Sequence, residues 1–232
     1  MIERVEVVIP ARDEEVSIAA SLGAVVAAAD RLGLPARVHV VLDRCVDRTD
    51  EAVRRAATPL PVVVVHGTGS SVGAARALGV DLATHGSPPG TTWIASTDAD
   101  SIVPPDWLVT HVALADAGVD AVVGTVEVVD WSVRPASLAE LFRRQYDLAR
   151  DPAPVHGANL GVRLEAYRLA GGFLPLACGE DEALVDAIRN AGRPVAYTTA
   201  GRVTTSARLD GRARGGFADT LSAWSLDAER SA

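Results

Sequence analysis

Two carboxylates one residue apart, Asp98 and Asp100, follow directly on the apolar run Trp93-Ile94-Ala95. Apolar residues leading into acid read as a buried strand with oxygen ligands at its C-terminal tip, where open α/β sheets bind ligands. Mg²⁺ and Mn²⁺ take oxygen ligands, keep several waters and need only one or two protein carboxylates when a substrate brings phosphates. The same short motif also suits a solvated turn between strand and helix. Acid recurs twice more: Asp43 and Asp47 flank Cys45 after Val38-His39-Val40-Val41-Leu42, and Glu180-Asp181-Glu182 stand before a helix read as starting at Ala183. Taken alone, acids at a helix N-terminus are explained by capping and dipole compensation, worth under ~1 kcal/mol each.

A glycine-rich stretch, Gly67-Thr68-Gly69-Ser70-Ser71-Val72-Gly73, opens another helix. Glycines there let a backbone approach phosphates at a helix N-terminus. The spacing is also a loose match to a dinucleotide fingerprint, so a nicotinamide-dependent oxidoreductase using the Gly67 to Gly73 loop is one alternative. Two features weigh against it: the loop follows the third strand of its unit, not the first, and the acid expected ~20 residues on, at the next strand's end, is not placed for ribose. A turn that merely starts a helix remains open.

The elements that must position these residues alternate along the first half. Val5 to Ile9 reads as a strand ended by Pro10, Glu15 to Arg31 as a helix stopped by Gly33 and Pro35, and Arg37 to Leu42 as a second strand. A helix from Glu51 to about Ala57 precedes a third strand, Val62 to Val65, apolar on both faces. A helix from Ala74 to Thr84, the strand ending at Asp98, a helix from Pro104 through Ala117 and a strand within Asp120 to Val129 continue the series. This β-α-β rhythm predicts a parallel sheet with helices on both sides. Residues Pro135 to Arg150, with Leu138, Leu141, Phe142 and Tyr146 at helical spacing, read as a core-packing amphipathic helix. Beyond it the alternation stops. His156 to Gly161 and Gly171-Gly172-Phe173 read as irregular, a short strand covers Val195 to Thr198, and Phe217 to Arg230 reads as a final helix.

The 232 residues suffice for one large α/β domain, and 48% hydrophobic with 22% charged residues is ordinary for a globular chain. No apolar run approaches the ~20 residues of a membrane helix and the N-terminus lacks a secretion signal, so the expectation is a soluble cytoplasmic protein without an integral membrane segment. A net charge of −8 without a basic cluster argues against nucleic acid as a partner. All 22 basic residues are arginine, which excludes catalysis by lysine. Cys45 and Cys178 match neither a disulfide framework nor a zinc pattern and are read as reduced thiols.

Five segments, in order, resemble family 2 glycosyltransferases: Ile9-Pro10-Ala11-Arg12-Asp13-Glu14; Asp43-x-Cys45-x-Asp47-x-Thr49; Gly73-Ala74-Ala75-Arg76; Asp98-Ala99-Asp100; and Gly171-Gly172-Phe173 with Glu180-Asp181. The resemblance spans about Val5 to Arg208. It implies an α/β GT-A fold, a single Rossmann-like α/β/α sandwich with a mostly parallel central sheet. The GT-A domain is expected over 1–210, with a nucleotide-binding half (1–100) and an acceptor half (101–210), followed by a helical tail (211–232). By resemblance, Pro10, Arg12, Glu14, Asp43, Arg76 and Asp98 would contact the donor, Asp100 would hold Mg²⁺ or Mn²⁺, and Asp181 would be the general base. Asn159, Glu180 and His156 are assigned to the acceptor side. The implied reaction is inverting transfer of one sugar from a UDP- or GDP-sugar to a hydroxyl on a small-molecule or lipid-linked acceptor.

Three departures from the family pattern stand out. Arg44 occupies the position of a second Asp, no Gln-x-x-Arg-Trp motif is present, and Thr204-Thr205-Ser206 lies where some relatives carry a metal-binding histidine. Arg150, His156, Arg163, Arg202, Arg208, Arg212 and Arg214 could meet an anionic group or merely solvate the surface, and most are read as solvated surface. The alternatives are a sugar-phosphate nucleotidylyltransferase, disfavoured by the absence of lysine, and a non-catalytic nucleotide-sugar binding module.

Overall fold

The computed structural model describes residues 1–56, 59–67, 69, 71–145, 154–212 and 215–230. Their strands are β1 (Arg4–Ala11), β2 (Ala36–Asp43), β3 (Val62–Gly67), β4 (Thr92–Ser96), β5 (Ala121–Glu127), β6 (Leu160–Arg163) and β7 (Val195–Thr204). The helices are α1 (Ile18–Leu32), α2 (Thr49–Arg55), α3 (Val72–Ala83), α4 (Trp107–Asp116), α5 (Ala136–Gln145), α6 (Leu164–Leu169), α7 (Glu180–Asn190) and α8 (Phe217–Arg230). A single 3-10 turn, Gly157–Asn159, leads into β6.

One sheet runs in the order β3-β2-β1-β4-β6-β5-β7. All neighbouring pairs are parallel except those of β6, which runs antiparallel to both β4 and β5. The period-2 alternation of β1 sorts its side chains between two layers. Val5, Val7 and Ile9 join a core with Leu22 and Val25 of α1 and Leu108 of α4, while Val8 joins a core with Val80 of α3 and with Leu184 and Ile188 of α7. Helices therefore cover both faces of a mixed, mostly parallel sheet, as expected. A third cluster, Leu138 and Phe142 of α5 with Leu221 of α8 and Val128, fastens the C-terminal helix to the body.

Several sequence expectations change. The strand at Val62 lies at the sheet's edge and Val63 is 41% exposed, so it is not buried on both faces. The segment read as irregular after His156 contains β6, in the middle of the sheet. The last strand runs to Thr204, six residues beyond its expected end at Thr198, bonded along β5 with an irregularity between Gly124 and Val126. Helix α7 begins at Glu180, so the three acids form its first turn and do not precede it. Of the helix expected over Pro135 to Arg150, α5 accounts for Ala136–Gln145, and Tyr146 and Arg150 lie outside the described residues. Among the described residues no helix is long and apolar enough to cross a membrane.

Candidate active site

A cleft of about 680 Å³ lies at the C-terminal tips of β1, β2 and β4 and extends under α7 and α8. Pro10, Arg12, Glu14, Asp43, Arg76, Asp98 and Asp100 line it from the first half of the chain; His156, Glu180 and Asp181 line it from the second. Of the expected site residues, Asn159 alone is outside it.

At the tip of β1 the chain turns through Asp13, whose positive φ of 54° is a conformation that Asp tolerates better than most residues. The turn aims Glu14 inward. Glu14 is 6% exposed; its amide donates to Thr49 Oγ1 at 2.8 Å and its Oε2 accepts from Ser17 Oγ at 2.7 Å. Beside it, Asp13, Cys45 and Asp47 could bring ligand atoms close enough for one ion. Those carboxylates already accept from the amides of Val46, Glu15 and Thr49, which clamps the two loops together. At the tip of β2, Asp43 is 6% exposed and lines the cleft; among the described residues no hydrogen bond reaches its carboxylate.

Arg76 is the hub on the α3 side. It is 3% exposed, its Nε donates to Ser96 Oγ at 3.1 Å, and its two terminal nitrogens pair with Asp98 and Glu180. A guanidinium held by two carboxylates and a hydroxyl is a strut between α3, the tip of β4 and α7, and it lines the cleft as well. Glu180, 2% exposed, is the strut's other partner and also lines the cleft; burial pushes its pKa up while Arg76 pulls it down. A Cβ at Gly157 would overlap the Arg76 guanidinium, which would have to shift from its partners to admit one. The Gly157 amide donates to Asp181 Oδ2 at 2.5 Å, and the Glu182 amide donates to Asp181 Oδ1 at 2.9 Å. Two amides thus orient Asp181 at the start of α7, where N–H groups favour negative charge. His156 stacks edge-on against Phe217, and burial pushes its pKa down to about 4 against the pull of Asp181 and Asp98.

Asp100 pairs through Oδ2 with Arg208 Nη2 at 3.1 Å, and Arg208 Nη1 also donates to Glu14 Oε1 at 2.6 Å. Burial pushes the Asp100 pKa up to about 6, opposed by Arg208. Of the two readings open for Arg208, the structure takes it off the solvated surface and places it on the cleft's own carboxylates. Its backbone is fixed by Arg134, which donates to the carbonyls of Ala207, Arg208 and Ala218 and to Ser222 Oγ. The role of Arg134 was not visible in the sequence, and Trp224, on the cleft wall, was missed as well. Arg163 is structural, bound to Asp120 and the Ala115 carbonyl; Arg150 and Arg214 lie outside the described residues.

Asn159 is 0% exposed with all four hydrogen-bonding positions filled. Its Oδ1 accepts from Trp107 Nε1 at 2.8 Å and lies 3.2 Å from His111 Nε2, and its Nδ2 donates to the carbonyls of Thr125 and Gly201. It joins four core segments and cannot meet an acceptor. At the end of the glycine loop, the Gly73 and Ala74 amides are likewise taken and are not free to cradle a phosphate. The Gly73 amide donates to the Leu176 carbonyl at 3.2 Å, the Ala74 amide donates to Ser71 Oγ, and the space beside Gly73 is filled by the Leu174 carbonyl.

The sequence model described as glycosyl transferase family 2 matches residues 6–168, more than half of the chain. The chain belongs to glycosyl transferase family 2. This family 2 chain also resembles solved structures in fold. Residues 1–349 of Staphylococcus aureus TarS, in complex with UDP-GlcNAc, superpose with a TM-score of 0.67 at 16% identity, over 97% of this chain and 66% of that one, just under two thirds of its length. The mannosyltransferase PcManGT from Pyrobaculum calidifontis, in complex with GDP-Man and Mn²⁺, gives 0.66 at 20% identity over 100% and 74%. Glucosyl-3-phosphoglycerate synthase from Mycobacterium tuberculosis, with Mn²⁺, UDP and phosphoglyceric acid, gives 0.61 at 20% identity over 97% and 76%. At such identities the likeness establishes the fold alone. No curated protein matches the sequence. Family membership removes the oxidoreductase and nucleotidylyltransferase alternatives.

Proposed function

We propose that this family 2 enzyme transfers one sugar from a nucleoside diphosphate donor to a hydroxyl acceptor with inversion at the anomeric carbon, Asp181 serving as general base. The observation that carries the reading is that Asp100, from the end of β4, and Asp181, from the start of α7, line one cleft. Residues 1–100 then form the nucleotide half and 101–210 the acceptor half, with the tail walling the acceptor side through Phe217 and Trp224.

Asp43 supports the donor end. A little-exposed carboxylate with no hydrogen bond from the described residues is suited to accept the ring N–H of uracil or guanine. Asp100 suits a divalent cation of the Mg²⁺ or Mn²⁺ type completed by donor phosphates, because no third His, Cys, Asp or Glu among the described residues converges with it. Such a cation would supply Lewis-acid stabilisation of the departing diphosphate. At the other end, Asp181 takes the acceptor's proton while the acceptor oxygen bonds to the anomeric carbon. The C–O bond to the phosphate breaks on the opposite side, and its electron pair leaves with the nucleoside diphosphate. The Gly157 and Glu182 amides each use one lone pair of Asp181, so either oxygen keeps another for that hydroxyl. Fixing a base within reach of its proton is worth about 10²–10⁴ in rate.

A thermal-shift panel of nucleotide sugars with and without Mn²⁺ identifies the donor, since selective binding raises the melting temperature by mass action. With that donor, Asp181→Asn keeps binding and loses about 10²-fold or more in kcat. Product NMR shows an anomeric configuration opposite to the donor's. Unchanged kcat in the variant, or retained configuration, refutes the mechanism.

A further inference from the structure

Carboxylates outnumber guanidiniums along the cleft, and Arg76, the most buried of its arginines, is already bound by Asp98 and Glu180. A diphosphate entering such a site needs a cation that can change partners. Arg208 has the required construction. Its backbone carbonyl and that of Ala207 are pinned by Arg134, while the guanidinium, 29% exposed, is held among the described residues by Glu14 and Asp100 alone. The stem is rigid and the head can turn. The fork geometry that bridges two carboxylates matches two phosphate oxygens equally well.

We propose that Arg208 is a counter-cation built into the cleft: without ligand it neutralises Glu14 and Asp100, and when a nucleoside diphosphate enters, its guanidinium transfers to the phosphates and frees Asp100. This rests on the nucleoside diphosphate reading of the site. Two consequences are separable. The protein binds a nucleoside diphosphate appreciably without any divalent cation, and the empty cleft resists Mn²⁺ because Arg208 already occupies the carboxylates.

The test is calorimetric titration of the full chain and its Arg208→Gln variant with UDP and GDP in EDTA, together with Mn²⁺ titration alone followed by electron paramagnetic resonance. The expected result is a loss of at least tenfold in metal-free nucleotide affinity and a gain of at least fivefold in Mn²⁺ affinity in R208Q. Metal-free affinity within twofold of the parent overturns the phosphate role, and unchanged Mn²⁺ affinity overturns the resting pair. Arg208→Lys, which keeps the charge, guards against a folding defect: it recovers at least half of the logarithmic loss, and failure to recover any in a variant of unchanged melting temperature overturns the electrostatic account. If the parent binds neither nucleotide even with Mn²⁺, the donor reading fails instead, and the Mn²⁺ titration still decides whether Arg208 blocks the carboxylates.

Discussion

The buried Arg76 triad makes a sharp energetic prediction at the residue scale. Glu180 is 2% exposed, and its charge is tolerated because Arg76 lies against it. Removing one partner of a buried pair costs about 3–5 kcal/mol, whereas replacing both by neutral groups costs much less. Arg76→Met is expected to lower unfolding free energy by that amount in urea denaturation, and the Arg76→Met, Glu180→Gln double variant to recover most of it. A double variant as unstable as the single one would show that Asp98, not Glu180, dominates the triad. The sequence marked Arg76 as part of the site without revealing its partners, because a motif carries a residue's neighbourhood and not the direction of its side chain. Asn159 is the converse case. A polar residue in a glycine-rich segment reads as exposed chemistry, yet its four hydrogen bonds fill the centre of the core. His156 and Asp181, by contrast, both line the cleft.

At the scale of elements, the legible parts were those with local signals. β1, β2 and β4 were read because an apolar run ending in acid or proline is a local pattern. β6 was not, because Leu160-Gly161-Val162-Arg163 is four residues long, interrupted by glycine, and becomes a strand only by pairing with β4 and β5 on either side. Gly161 is where that strand could be broken. A Cβ there would overlap His111 Nδ1 and the Trp93 indole. Gly161→Ala is therefore expected to cost about 1–3 kcal/mol of overpacking, read from the urea midpoint, although alanine is otherwise the better strand former. A midpoint at or above the parent's would mean that α4 yields to the methyl group. The contact between Glu14 and Arg208 illustrates a deeper limit, since 194 positions separate the two residues and no window along the chain connects them.

For the whole molecule, acid stability should depend on His111. It is 1% exposed, packed by Trp93 and Trp107, and burial pushes its pKa down to about 4. Trp93 Nε1 donates to Nδ1, which makes Nε2 the protonated nitrogen that donates to Asn159; a second proton on Nδ1 would face the indole N–H. The folded state thus binds this proton less readily than the unfolded chain, whose histidine titrates near 6.5. The stability it contributes is complete above 6.5 and falls as pH drops through about 4, by about 3 kcal/mol at most. His156 acts in the same direction, and Asp100, with its raised pKa, opposes both between about 6 and 3.8. The measurement is therefore a difference: His111→Gln is less stable at pH 7, but its melting temperature falls less than the parent's between pH 6.5 and 4. Parallel curves would remove His111 from the account. A last consequence concerns the C-terminal helix. Trp93 and Trp107 are sealed in the interior at 0% exposure, while Trp224 of α8 sits half-buried on the cleft wall. Intrinsic emission during a titration with UDP or GDP and Mn²⁺ should change through Trp224, and Trp224→Phe should silence the response while leaving interior Trp93 and Trp107 and the Phe142-packed Trp131, which does not line the cleft, as a constant background. The fold thus supplies its own optical gauge of occupancy, with no dye attached.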